Sequence, residues 1–487
     1  MPVRLLRRIS SRVVDGIDVA VLTRTLCELG QVEHLGDLGR NGPLLASAGG
    51  ASLFHCLFGR DAIRMAMDLL DDFPLVARVT ITELAHLQGV RDHPRAEEEP
   101  GRILHEHREP DDPRARLLEW ECGWAFPFFG AVDTTPQWIN LLAAYAARHG
   151  PGLLDQEIVD RAGCRTSVRG SLLGALGWLV RRLDDPTGGG FVWVRRTHAG
   201  SLANQSWEDS SDSHYYADGT LFDPARPYAP VAVQGYVYDA LLAAADLVEA
   251  APEACSIEPG VLRARASGLR ARVLARFWQP DLGTFANAVT VEPDGALRPA
   301  REVASSAGHL LANQLLDGPD VAETRARLIA RLAEPDLVAT AGIRTRSTRA
   351  ARFRPGSYHN GSVWPMDTGV IADGLRRHGC DGQAADLEQR ILDACAWAGG
   401  FPEFFRGDPE GQLAVNHEII DAVVDGVPNR LEQLPHTKQG WTATRVWRIL
   451  GQRGAPVLPA RSASAPRPLR DPLLQFPTAA RASEHAA

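Results

Sequence analysis

Apolar residues return at i, i+3, i+4 and i+7 in stretch after stretch of this chain. Trp138, Leu141, Leu142 and Tyr145 show the pattern, as do Leu172, Ala175, Leu176 and Leu179, then Tyr238, Leu241, Leu242 and Ala245, and finally Ala443, Val446, Trp447 and Leu450. That period stacks side chains on one side of a helix, so each run predicts a helix with one buried face. Further helices are predicted near 15–29, 60–72, 75–89, 262–277, 303–316, 321–333, 364–378 and 383–396, and the stretch from Asn416 to Val424 also reads as helical. Strand signals are scarce, the best being Phe191 to Val194 after the Gly188-Gly189-Gly190 turn. A dozen or so helices exceed a simple bundle, and they lack the fixed short repeat of a helical solenoid. The natural alternative is an all-α toroid of helical hairpins with few short strands. Four connections are unusually long: Asp92 to Phe129, Gly188 to Pro230, Thr340 to Pro365 and Gly399 to Gln439. Loops of that length in a compact domain tend to be functional. From about Gly454 the sequence turns to Pro, Ala, Ser and Arg, which divides the chain into one helical domain over 1–452 and an expected disordered tail over 453–487.

With 487 residues, 45% of them hydrophobic, the chain can bury a large core. Its formal charge is −8 and the charges are interspersed, which leaves no basic face for nucleic acid. Lys438 is the only lysine, and the arginine excess reads as codon bias. Seven cysteines (Cys27, Cys56, Cys122, Cys164, Cys255, Cys380, Cys395) are scattered without a C-x-x-C pair, which argues against a disulfide framework or structural zinc and fits a reducing cytoplasm. Asp15 and Asp18 interrupt the apolar stretch that a signal peptide would need. No run approaches the roughly 18 to 20 uninterrupted apolar residues of a membrane span. The expectation is therefore a soluble, cytoplasmic protein without nucleic-acid or membrane partners, metal or cofactor.

The densest polar signal is Asn204-Gln205-Ser206-Trp207-Glu208-Asp209-Ser210-Ser211-Asp212-Ser213-His214, where three carboxylates and an indole share a segment without a helical stripe. An acidic loop or helix cap would also use Asp and Ser in this way. A second signal, Phe401-Pro402-Glu403-Phe404-Phe405, sets one carboxylate among aromatics before the turn Gly407-Asp408-Pro409. That glutamate either caps a turn or has its pKa raised by desolvation. Two carboxylates on separate loops are what glycoside hydrolysis requires, one protonating the leaving oxygen and the other activating water. Trp124, Phe126, Phe128, Phe129, Tyr215, Tyr216, Tyr358 and Trp364 supply flat rings in the same loops, against which the C–H faces of a sugar can rest.

Six segments in order give the chain a specific resemblance. They are Leu57 to Asp61, Glu98 to Glu106, Phe128 to Pro136, Asn204 to Asp212, Ser357 to Pro365 and Phe401 to Phe405. Together, over roughly residues 50 to 445, they resemble the amylo-alpha-1,6-glucosidase type of six-hairpin glycosidases found in glycogen debranching proteins and their bacterial relatives. The resemblance implies an (α/α)6 barrel with its active site at one end, built by the loops that enter the inner helices. It also implies an inverting hydrolase that releases glucose from a small or oligomeric alpha-glucoside, with Asp212 as general acid and Glu403 as general base. Arg60 and Asp61 would hold hydroxyls of the sugar, Asp133 would be another hydroxyl ligand or an N-cap, and Trp207, Tyr358 and Trp364 would wall the pocket, with His359 and Asn360 hydrogen-bonding it. Glucosylglycerate and mannosylglycerate hydrolases resemble the chain too. They typically read Y-W-R-G where it has Tyr358-His359-Asn360-Gly361, the debranching-type version. Ser211 replaces the aromatic or Met that many relatives carry before the acid.

Inversion places the two carboxyls roughly 6.5 to 9.5 Å apart so that a water fits between them. A sugar isomerase or epimerase is the competing reading, since His105, His107, His214, His359, His417 and His436 could serve as acid and base. A non-catalytic carbohydrate-binding barrel is a third. Within the hydrolase reading, Asp209 or Glu208 could stand in for Asp212, and Glu418 or Glu432 for Glu403.

Overall fold

The computed structural model describes residues 13–30, 42–50, 52–250, 257–408, 411–424 and 427–453. The tail expected from 454 onward lies outside these residues, as does Cys255. Among the described residues, twelve α-helices follow in chain order: α1 Val19–Leu29, α2 Gly59–Asp68, α3 Pro74–His86, α4 Pro113–Cys122, α5 Thr134–His149, α6 Val168–Leu183, α7 Val231–Ala250, α8 Pro259–Phe277, α9 Ala322–Leu332, α10 Pro365–Arg377, α11 Asp381–Ala398 and α12 Gly440–Gln452.

Six elements close a ring. Helix α2 packs on α5, α5 on α7, α7 on a 3-10 run at Ser305–Ala312, that run on α10, α10 on α12, and α12 back on α2. Outside it, α1 lies on α12, α3 on α2, α6 on α5, α8 on α7, α9 on the 3-10 run and α11 on α10. The result is the (α/α)6 toroid that the periodicity and resemblance implied. Helix α7 shows how the ring selects sequence. It is long and apolar enough to cross a membrane, yet 72% of its apolar window is buried inside the molecule, as expected of a helix covered on several sides. The predicted stripes lie inward: Trp138, Leu141, Leu142, Leu172, Ala175, Leu176, Leu179, Leu241, Ala443 and Val446 are all buried.

Four local readings differ from the sequence expectation. Phe191 to Val194 is buried and extended but forms only one bridge, Val194 to Tyr228, because its polar backbone is met by side chains such as Gln234, whose amide oxygen accepts from the Val192 N–H. The 303–316 stretch forms 3-10 turns, not an α-helix. The 92–129 connection contains a helix of its own, α4, started by Asp112 accepting from the Arg114 N–H and ended by Gly123 at φ +72°. Asn416 to Val424 is not helical. It leads into an antiparallel hairpin of β6 (Ile420–Val424) and β7 (Val427–Glu432), which form after β1 (Leu57–Phe58), β2 (Glu106–His107), β3 (Tyr228–Pro230), β4 (Ala288–Val291) and β5 (Leu297–Ala300). The alternating Ile420, Ala422 and Val424 fit a two-residue period as well as a helical one, and the cross-strand pairs decide.

The polypeptide crowds where a loop passes an outer helix. Gly101 has φ +87°, and a Cβ there would stand 2.0 Å from the Gly174 carbonyl oxygen within α6. Replacing it combines a left-handed backbone penalty with a backbone clash. Gly101→Ala is expected to lower unfolding free energy by about 3 kcal/mol, read as a fall in the urea midpoint at unchanged m value.

Candidate active site

The N-terminal ends of the inner elements converge on one end of the toroid, and the long loops wrap the same end. There they enclose a cavity of about 450 Å³. Its walls include Arg60, Asp61, Trp207, Asp209, Asp212, Tyr358, His359, Trp364 and Glu403. Separate connections thus supply one site, because each inner helix begins there.

Arg60 and Asp61 open α2 and are both buried, but they are not paired with one another. The Arg60 guanidinium takes Asp133 in a two-point pair, Nε to Oδ2 at 2.8 Å and Nη2 to Oδ1 at 3.2 Å, and reaches Asp209 Oδ2 at 3.3 Å through Nη1. Asp133 stands just before α5 without capping it, and it is wholly buried behind Arg60. It orients Arg60, which lines the cavity, and does not line the cavity itself. Asp61 accepts from the Ser47 hydroxyl and from the Gln439 amide at 3.2 Å. Burial pushes its pKa up to about 7, against the pull of Ser47 and Arg60 and with repulsion from Glu403 and Asp209 adding to the rise.

Glu403 is buried between Pro402 and Phe404. Its Oε1 accepts from the Tyr358 hydroxyl at 2.6 Å and its Oε2 from the His436 N–H at 3.4 Å. Burial raises its pKa to about 7, while both hydrogen bonds draw it down. Asp209 rises to about 6, again through burial and against the field of Arg60. Asp61, Asp209 and Glu403 therefore repel one another across a single cavity.

The other aromatic and amide residues divide by role. Trp364 stacks on His359 with ring centroids 5.0 Å apart and on Phe404 at 5.4 Å, and it meets Trp207 edge-on at 6.1 Å. The His359 Nδ1 accepts from the Ser210 N–H at 3.3 Å, which puts the proton on Nε2, a buried donor with no protein partner among the described residues. Burial holds this ring far below its ordinary pKa, so it stays neutral. Asn360 does not line the cavity. Its amide donates to the Asp212 carbonyl at 3.0 Å and so anchors the acidic loop. Of the other loop aromatics, Trp124 reaches the cavity, whereas Phe128, Phe129 and Tyr215 are core.

The alternative site residues sort by what already occupies them. Glu208 is buried in an ion pair with Arg346 and accepts from Asn287 at 3.2 Å. Glu418 is exposed beside the β6–β7 hairpin. Glu432 lines the cavity but is held by Arg354 at 2.9 Å and Arg406 at 2.6 Å. Among the six histidines, His105 and His359 line the cavity and burial keeps both neutral, while His417 is exposed. The six cysteines among the described residues are free thiols, and no metal-ligating cluster occurs among those residues.

Several wall residues were not singled out from sequence: Ser47, Phe54, Arg114, Arg430, Gln433 and Trp441. Gln439, which holds Asp61, was also missed. It directly precedes α12 as Asp133 precedes α5 and Trp364 precedes α10, so its position at the mouth of an inner helix was the available signal.

An ionised Glu403 destabilises the fold that buries it. Its folded pKa of about 7 exceeds the ordinary 4.5, so its contribution favours folding below about pH 4.5 and is lost as pH rises through about 7. Glu403→Gln removes that burden. The variant is expected to be more stable than wild type at pH 8 by up to about 3 kcal/mol, and so to unfold at higher temperature, with a smaller difference at pH 5. Thermal melts at the two pH values read it.

Comparisons with known proteins agree with this architecture. The mannosylglycerate hydrolase MGH1-like glycoside hydrolase domain matches residues 124–414. The crystal structure of GH63 mannosylglycerate hydrolase from Thermus thermophilus in complex with Tris is similar at 12% identity and a TM-score of 0.59, covering 89% of this chain and 99% of that one. The structure of the same hydrolase with glucose gives 15% identity and a TM-score of 0.54, with coverage of 88% and 99%. A search of curated proteins finds no match. The resemblance read from the motifs thus holds at the level of a six-hairpin glycosidase, and the chain belongs to the mannosylglycerate hydrolase MGH1-like glycoside hydrolase family.

Proposed function

We propose that this glycoside hydrolase cleaves a small alpha-glycoside with an anionic aglycone, of the mannosylglycerate or glucosylglycerate kind, with inversion at the anomeric carbon. The observation that carries the reading is that Asp212 and Glu403 face one cavity of about 450 Å³, which suits one sugar with a small aglycone and not a polymer. Asp212 donates its proton to the glycosidic oxygen as the C–O bond breaks. Glu403, ionised and aimed by the Tyr358 hydroxyl, takes a proton from water as that water attacks the opposite face of the ring. Arg60, Asp61 and the His359 Nε2–H bind sugar hydroxyls against Trp207 and Trp364.

The aglycone charge follows from the arginines of the wall. Arg60 is committed to Asp133 and Asp209, Arg108 to Glu106 and Asp112, and Arg430 to Asp421. The Arg114 guanidinium on α4 lines the cavity with no hydrogen bond or ion pair of its own among the described residues, which leaves it free to take a carboxylate. The family match and the similar structures, whose protein is named for mannosylglycerate, support the same choice. The Tyr358-His359-Asn360-Gly361 segment favours a second reading, an uncharged alpha-glucoside of the debranching type.

Proton NMR time courses on alpha-mannosylglycerate, alpha-glucosylglycerate and isomaltose separate the two. Release of the beta anomer first from a glycerate glycoside is expected, with Asp212→Asn and Glu403→Gln slower by about a thousandfold. Preference for isomaltose would move the debranching reading to the front, and unchanged turnover in both variants would sink the site assignment. Arg114→Gln is expected to raise KM for the glycerate glycoside by about 10- to 100-fold, as the loss of a charge-assisted hydrogen bond does. Equal KM values would remove Arg114 from the aglycone site.

A further inference from the structure

Behind the cavity wall lies a buried ion pair that touches none of the reacting groups. Arg346 is wholly buried. Its Nη1 donates to the Glu208 carboxylate and to the Thr345 carbonyl at 2.8 Å, and its Nη2 donates to the Ser213 carbonyl. Glu208 and Ser213 bracket the loop that carries Asp209 and Asp212, so one guanidinium grips both ends of that loop. The loop is braced from within as well, the Ser213 hydroxyl bonding the Glu208 carbonyl at 2.6 Å and the Ser210 carbonyl at 2.9 Å. Asn287, next to β4, closes the far side of Glu208.

The backbone beside Arg346 runs the other way, toward the base. The Thr345 N–H donates to the Ser362 carbonyl at 2.9 Å, and the Gly361 N–H donates to the Thr345 hydroxyl at 2.9 Å. Val363 then exchanges two backbone hydrogen bonds of 2.8 Å with Phe405, two residues beyond Glu403. A continuous hydrogen-bonded line therefore joins the acid-bearing loop to the base-bearing segment, and Arg346 is the link at which a side chain takes over from backbone. Burying such a pair is costly and gives little net stability.

We propose that Arg346, with Glu208 as its counter-ion, is a positioning residue that sets the reach of the general acid relative to the base. The inference rests on Asp212 being that acid. In an inverting hydrolase the two carboxyls act on opposite faces of one carbon, and displacement of about 1 Å by a remote change can cost about a hundredfold in rate. Glu403 keeps its own anchors in Tyr358 and His436, so a slackened acidic loop impairs proton donation and leaves water activation in place.

The test compares a substrate that needs the acid with one that does not. A glycerate glycoside requires protonation of its leaving oxygen, whereas the alpha-glycosyl fluoride of the same sugar departs as fluoride with little help. Glu208→Gln, which keeps the side chain's shape, and Arg346→Lys are expected to lose about 10-fold or more in kcat on the glycerate glycoside at unchanged KM, and to stay within about threefold of wild type on the fluoride. Asp212→Asn is run alongside. If it does not split the two substrates, the acid assignment fails and the inference falls with it. If it splits them and the Glu208 and Arg346 variants lose rate equally on both, or do not fold, the pair serves the fold alone and the positioning role is overturned.

Discussion

Closing six helical elements into a ring brings their starts to a common end, and everything at this site follows from that constraint. Each helix start leaves backbone N–H groups unbonded and carries the positive end of its dipole, so the ring ends in a collar that favours anionic groups. Arg60 and Asp61 open α2, Trp364 precedes α10, and Gln439 precedes α12. The connections must then be long, because each has to return from an outer helix and cover the collar before entering the next inner one.

Covering the collar removes water from the carboxylates it gathers. Asp61, Asp209 and Glu403 each rise above their ordinary pKa because they are buried, and each raises the difficulty of ionising the others. Arg60, fixed by its two-point pair to Asp133, is the counterweight, and its hold on Asp209 keeps that group occupied. The same desolvation that strains the fold makes a proton easy to exchange near neutral pH, which is the condition acid and base catalysis needs. The stability lost at Glu403 and the chemistry proposed for it are two readings of one burial.

Much of this was legible along the chain. The i, i+3, i+4, i+7 stripes at Trp138, Leu172, Leu241 and Ala443 mark helices that must each hide one face, and the surplus of loop between them points to a toroid. Asp212 and Glu403 stand out because carboxylates among aromatics outside any helical stripe need a reason. What misled was local ambiguity: 420–424 fits two periods, and the 303–316 run has helical composition but 3-10 backbone. Asp133 looked like a cap or a ligand because sequence cannot reveal that Arg60, 73 residues away, occupies it.

Periodicity, loop length and the placement of acids among aromatics are local properties, and they determined the helical class, the long functional loops and the candidate carboxylates. Pairing is not local. Which guanidinium takes which carboxylate, which arginine is left over at Arg114, and how Arg346 joins Glu208 to the strip beside Glu403 are decided only when the ring closes. Arg60 meets Asp133 across 73 residues and Arg346 meets Glu208 across 138, and the strength of such contacts depends on water being excluded by parts of the chain that no single segment specifies.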